Sequence, residues 1–221
     1  MKTFFSKSKF AVLALLFLTF ASCSNDDDNN DSPAAQTPSV TYAATNLNAT
    51  FFHAGNSNAP TVNWNGNQGS FSLATPVTGL TINTTTGVLN WTKDLPIDIH
   101  TLQVVATNSA GQTTVNLTLD NPLQGVFTGT YDSIYFFQVE FIENGTMLLR
   151  ANSETNPDTG TGTWTKNGNI IAIDYTYDIG GDFSLSGTLT VGTTAIYSGD
   201  WFSNHGAISV NQGGTFEMIL D

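Results

Sequence analysis

The sequence predicts an all-β chain, a β-sandwich followed by a small antiparallel β-barrel or meander sandwich. Three observations predict it. Beyond residue 22 the chain is rich in Thr, Asn, Gly, Val, Ile and aromatic residues, and no apolar repeat at helical spacing occurs. Short β-prone runs then alternate with turn clusters at His53 to Pro60, Asn65 to Gly69 and Thr84 to Gly87. From Val126 onward the pattern becomes a succession of hairpins, about eight or nine strands in all, which suits an up-and-down barrel or a meander.

Residues 1–22 read as a leader. Lys2, Lys7 and Lys9 precede the apolar run Ala11 to Phe20, which is too short to cross a bilayer that needs roughly 20 residues. The small residues Ala21-Ser22 directly before Cys23 resemble the lipobox of bacterial lipoproteins. That resemblance implies that Cys23 becomes the first mature residue and carries the lipid, with the membrane as a partner through this anchor. Cys23 is the only cysteine, so no internal disulfide can form, and acylation accounts for the thiol. Each buried methylene contributes roughly 0.8 kcal/mol, so several acyl chains hold a protein to a bilayer firmly.

Ser24, where an aspartate would favour the inner membrane, implies by the same resemblance delivery to the outer membrane. Asp26, Asp27 and Asp28 resemble the acidic surface-export signal of Bacteroidetes lipoproteins; the alternative is a solvated acidic tether. The run lacks the glycine turn and distal glutamate of a calcium loop. Residues 23–38, polar and without an aromatic, are expected to be a flexible tether.

The whole chain carries a formal net charge of −12. With the leader removed, only Lys93, Arg150 and Lys166 stand against 18 carboxylates. A chain with so few cations offers no surface for nucleic acid or anionic headgroups.

Residues 39–121 form the first expected domain. Gly79-Leu80-Thr81-Ile82, the turn Thr86-Gly87, and the strand ending Ala106-Thr107-Asn108-Ser109-Ala110-Gly111 resemble the putative-Ig, cadherin-like repeats of bacterial surface proteins. The resemblance implies an Ig-like sandwich. Where the repeats have Gly-Thr-Pro, this chain has Asn90 to Pro96, and the calcium-binding acids of cadherins have no counterpart beyond Asp94, Asp98 and Asp120. In residue terms, Leu80 and Ile82 face one way, Val88 and Trp91 close the next strand, and Gly87 supplies a positive φ at the turn. Leu102 and Val104 alternate with Gln103 and Val105.

Asn121-Pro122 marks a boundary, and residues 122–221 form the second expected domain, an antiparallel β domain. Tyr135, Phe137, Val139 and Phe141 alternate with Phe136, Gln138 and Glu140 before Asn144-Gly145, a type I′ hairpin signal. Ile171, Ile173, Tyr175 and Tyr177 follow Asn167-Gly168; Phe183, Leu185, Leu189 and Val191 follow Gly180-Gly181; Phe216, Met218 and Leu220 follow Gly213-Gly214. Gly129-Thr130-Tyr131, Gly162-Thr163-Trp164 and Gly199-Asp200-Trp201 each set a glycine two residues before a large aromatic. The glycine permits a bend or close backbone approach, and the aromatic fills the core beside it. These triplets resemble the starts of small lipocalin-like and avidin-like barrels.

Little in the sequence points to catalysis. His53, His100 and His205 have no metal-ligand spacing, and no nucleophile elbow, phosphate loop or zinc motif occurs. Carboxylates from Glu140 to Asp182 could supply a glycosidase pair only across a cleft, for which two small domains leave little room. The expectation is no enzyme, no metal and no cofactor. The protein expected is a lipid-anchored, surface-exposed outer-membrane protein that binds an extracellular glycan or a neighbouring outer-membrane protein. Exposed rings among Trp164, Trp201, Tyr175, Tyr177 and Tyr197 would stack on sugars. The alternatives are a structural or adhesive display module and a lipocalin-like carrier of a small apolar ligand. A barrel with an open, apolar interior would favour the carrier, a flat exposed aromatic strip the glycan binder, and neither of them the display module.

Overall fold

The computed structural model describes residues 34–207 and 209–221. The leader, Cys23, and Asp26, Asp27 and Asp28 lie outside them. Ala34–Asp221 makes one compact unit, all-β, with a sandwich and a barrel.

The sandwich half is built from β1 (Ser39–Thr41), β2 (Asn46–Asn48), β3 (Gly55–Asn56), β4 (Thr61–Asn63), β5 (Ser70–Leu73), β6 (Leu80–Ile82), β7 (Leu89–Trp91), β8 (Ile99–Asn108) and β9 (Gly111–Asp120). They form a four-stranded sheet in the order β2-β9-β8-β5, a three-stranded sheet β3-β7-β6 and the pair β1-β4. Alternation brings Leu102, Val104 and Ala106 of β8 onto the buried face with Leu117 and Leu119 of β9, against Phe71, Leu80, Leu89 and Trp91. At the β6–β7 turn Gly87 has φ +72° and the Asn83 side chain accepts the Thr85 and Thr86 amides. In β7 the residues that face inward are Leu89 and Trp91, not Val88, because Val88 still belongs to that turn and the pleat starts one residue later.

The barrel half has β10 (Gly125–Tyr131), β11 (Tyr135–Phe141), β12 (Thr146–Asn152), β13 (Asp158–Asn167), β14 (Ile170–Tyr177), β15 (Asp182–Val191), β16 (Ala195–Ser203) and β17 (Gln212–Leu220). Each strand pairs antiparallel with the next, and β17 closes on β10 through Phe127↔Leu220 to Tyr131↔Phe216. Of the barrel and meander alternatives, the closed barrel is the one realised. Eight strands leave an interior that side chains fill. Phe137, Val139, Met147, Leu149, Ile171, Ile173, Leu185, Tyr197 and Met218 are buried there. The outward positions are largely polar, among them Gln138, Glu140, Thr161, Asp174, Asp200 and Glu217, the inverse of a membrane-spanning barrel with its apolar outer band.

The glycines of the three Gly-x-aromatic triplets are seams where backbones touch. A Cβ on Gly129 would lie 2.0 Å from Glu217 O, on Gly162 2.2 Å from Asp174 O, and on Gly199 2.2 Å from Ser186 O. Absence of a side chain lets the neighbouring strand bend inward and tighten the barrel.

Two turn expectations need correction. At Asn144-Gly145 only Gly145 has positive φ (+87°), and Gly145 N donates to Ile142 O, while Asn144 Oδ1 accepts from the Thr146 amide and hydroxyl. The loop is therefore a type I turn completed by a left-handed glycine, a three-residue connection and not a type I′ pair. Gly213 and Gly214 do not turn the chain; they lie inside β17, where a neighbouring ring needs their missing side chains.

The barrel has two unlike ends. The end that receives Gly125 is stoppered by the sandwich half: Phe51 and Leu123 are buried in the barrel core, with Phe51 and Phe127 rings 6.4 Å apart. Lys93 Nζ donates to Gly192 O in the β15–β16 loop. The Asn121 side chain, 1% exposed, donates to Leu95 O at 2.8 Å and Pro96 O at 3.1 Å, so the junction is clamped.

Candidate functional site

The opposite end of the barrel is open, and its mouth is lined by rings. Its strands end in the loops between β10 and β11, β12 and β13, β14 and β15, and β16 and β17. Tyr131, Phe137, Asn152, Tyr175, Tyr177, Phe183 and Trp201 surround a cavity of about 170 Å³. A cavity of roughly 150 Å³ holds a benzene molecule, so the space suits one ring-sized group.

Each ring is set by local geometry. Tyr175 and Tyr177 are inward positions of β14 two residues apart, and Phe183 of β15 lies directly opposite Tyr175. Their centroids are 5.5 Å (Tyr175–Tyr177), 5.8 Å (Tyr175–Phe183) and 5.5 Å (Tyr177–Phe183) apart. A second group forms where Tyr131 meets Phe137 at 5.4 Å and Trp201 at 6.1 Å. Phe183 and Trp201, 6.2 Å apart, join the two.

Trp201 sits at a bulge, since the β16–β17 register shifts between Trp201 and Phe202. Its indole lies over Gly213 and Gly214: a Cβ on Gly213 would fall 2.0 Å from the ring, and one on Gly214 2.8 Å from Nε1. Trp201 Nε1 donates to Asp132 Oδ1 at 3.0 Å, and the same oxygen accepts the Thr215 amide at 3.2 Å. Asp132 and Ser133 take positive φ (50° and 60°) with Ile134 N bonded to Tyr131 O, a tight turn that aims the carboxylate back across the strand end.

Polar groups ring the cup. Tyr131 Oη donates to Asn152 Oδ1, and Asn152 Nδ2 donates to Asp158 Oδ2. Thr159 donates to Asp178 and Thr176 to Asp182. Burial raises the Tyr175 hydroxyl well above the ordinary tyrosine range, with Tyr177 adding to it. Burial also pushes Tyr177 up to about 12. Tyr131 is raised first by burial, then by Tyr135, Asp132 and Asp158. All three therefore remain neutral donors at ordinary pH.

Three of the five aromatics named from the sequence meet here: Trp201, Tyr175 and Tyr177. Two do not. Tyr197 is 0% exposed and its hydroxyl donates to Ile171 O at 3.0 Å, which makes it a core residue. Trp164 packs at the stoppered end, edge-on to Phe141 and bonded through Nε1 to Ile142 O at 3.0 Å. Sequence reasoning missed Tyr131, Phe137, Phe183 and Asn152. The Gly129-Thr130-Tyr131 triplet was the available signal for Tyr131, because it is the same device that places Trp201.

The three histidines are apart and each ring faces a backbone carbonyl: His53 that of Phe51, His100 that of Pro96, His205 that of Tyr175. No group of three His, Cys, Asp or Glu suited to a metal occurs among the described residues. The residues that line the cup include no carboxylate, histidine or cysteine. Neither family models nor curated proteins gave a match to this chain.

Proposed function

We propose that this chain is a lipid-anchored outer-membrane protein, displayed at the cell surface, whose barrel mouth binds a small ligand group without transforming it. The observation that carries this reading is the cup itself, six aromatic rings around a space that fits one ring-sized group. Binding sites of this kind are concave, mostly apolar and furnished with a few polar groups that orient the ligand. Asn152 and the Tyr131, Tyr175 and Tyr177 hydroxyls are those groups here. The sandwich half acts as stopper and spacer, and the resemblance of Ala21-Ser22-Cys23 to a lipobox supplies the anchor.

Enclosure favours a small ligand, or the end of a larger one, over a polymer lying along a flat strip. A second reading, a terminal sugar, draws support from the hydroxyls and Asn152 beside Trp201, since sugars combine an apolar face with hydrogen-bonding edges. The test is calorimetric and fluorescence titration of the purified protein with neutral sugars, small aromatic compounds and alkylammonium ions. Saturable binding lost in Tyr177→Ala with an unchanged circular dichroism spectrum supports the site. Silence across the panel would turn the reading to an adhesive display module.

A further inference from the structure

Resting on the mouth as a binding site, we infer that its ligand is an organic cation, an alkylated ammonium group held among the rings. Two features of the cup carry this. The first is the wall: aromatic faces carry negative quadrupole density, and a cation within about 6 Å of a ring centroid is attracted to it, more strongly where water is excluded. Here neighbouring centroids stand 5.4 to 6.2 Å apart, so a group inside the cup is near several rings at once.

The second is the charge around it. Asp132 accepts a hydrogen bond from Trp201, and Asp158 accepts one from the Asn152 side chain, whose oxygen in turn accepts from the Tyr131 hydroxyl, so two carboxylates stand directly behind the lining. Asp178 and Asp182 hold threonines at strand ends of the same mouth. The described cations are elsewhere or engaged. Lys93 lies over Phe52, in the sandwich half that stoppers the barrel, and Lys166 is beside the β13–β14 loop at that stoppered end. Arg150 points outward and bonds Gln138 and the Glu154 carbonyl. The His205 ring nitrogen Nε2 lies 3.0 Å from Tyr175 O and 3.7 Å from Asp182 Oδ1.

Anions are thus repelled from the mouth and cations drawn to it. Desolvation decides which cation. A bare ammonium would lose its water to a lining that offers few acceptors, whereas methyl or alkyl groups on nitrogen spread the charge and pack against rings. Exposed Ile134 (75%) and Ile179 (79%) at the loop tips around the mouth suit the apolar remainder of such a ligand.

The experiment compares choline with 3,3-dimethylbutan-1-ol, the same shape with carbon in place of the charged nitrogen, by calorimetry on the full-length protein. The expected result is saturable binding of choline about tenfold or more tighter than of the neutral isostere. Choline binding should weaken in Tyr177→Leu, which keeps the bulk but removes a ring at the rim, and in Asp158→Asn, which removes charge behind the wall. Equal affinity for both compounds would overturn the cation inference while leaving the mouth as a site. So would binding of neutral sugars or aromatics with no response to choline. Choline binding that survives Tyr177→Leu undiminished would place it elsewhere and overturn the inference too. Silence toward the whole panel would remove the site itself.

Discussion

Trp201 of β16 and Asp132 of the β10–β11 turn, which flank β17 on its two sides, are joined by a 3.0 Å hydrogen bond that fixes the largest ring of the cup from a different hairpin. Asp132→Ala should cost about 1–3 kcal/mol, from the indole N–H left without its partner. Loss of a residue that tolerates positive φ adds to it. Asp132→Asn keeps an acceptor and tolerates the same backbone, so it should recover most of the loss. Denaturant midpoints and tryptophan fluorescence anisotropy measure both, and equal damage from the two variants would contradict this account.

Glycine substitutions should separate site from fold. Gly213→Ala meets the Trp201 ring first, a side chain and not a backbone, so the expected result is a folded barrel with a displaced indole, a shifted emission maximum and weakened ligand binding. Gly162→Ala meets the Asp174 carbonyl and the Tyr175 backbone, which cannot step aside. It should destabilise by about 1–3 kcal/mol or more, the usual cost of overpacking.

Phe51 belongs to the chain before the barrel yet is buried in the barrel core. Phe51→Ala should therefore lower the unfolding free energy by about 3–5 kcal/mol. The loss should appear in barrel reporters such as Trp164 and Trp201 fluorescence. A loss confined to the sandwich half would show that Phe51 does not tie the two halves together.

High pH should unfold the protein through its buried tyrosines. Burial raises Tyr42 and Tyr177 to about 12, and Tyr175 and Tyr197 further. A folded pKa above the unfolded value of about 10 means that the stabilisation is complete below pH 10. It is then lost as pH rises through 10 toward 12, because the unfolded chain releases these protons first. Tyrosinate absorbance followed with circular dichroism should show the buried hydroxyls ionising together with unfolding. Ionisation of all tyrosines near 10 in a folded protein would contradict the burial.

Two variants serve as internal contrasts. Tyr197→Phe should cost about 1–2 kcal/mol through the lost bond to Ile171 O, and Trp164→Phe should weaken packing at the stoppered end. Neither should change ligand affinity at the mouth in titrations of the folded variants.

The all-β class, the inward faces of β8, β11 and β14, and the glycine of each Gly-x-aromatic triplet are legible in the sequence, because strand alternation has period two and depends only on neighbours along the chain. Turn type was less legible: Asn144-Gly145 fits two loops, and the choice between them rests on strand register. Gly213-Gly214 looked like a turn because the ring that requires both glycines comes from another strand. Closure of the barrel joins β10 to β17, from opposite ends of the domain, and the stopper Phe51 comes from further still. Tyr197 and Trp201 mark the limit most clearly. They share one strand and one face, four residues or about 13 Å apart, yet the first is sealed in the core and the second lines the cup. In β8, β11 and β14 the sequence alone determined which residues point inward, a local property of the pleat. Depth along the barrel axis, and hence which inward rings meet a ligand, was decided by the tertiary structure, because it depends on where the other seven strands end.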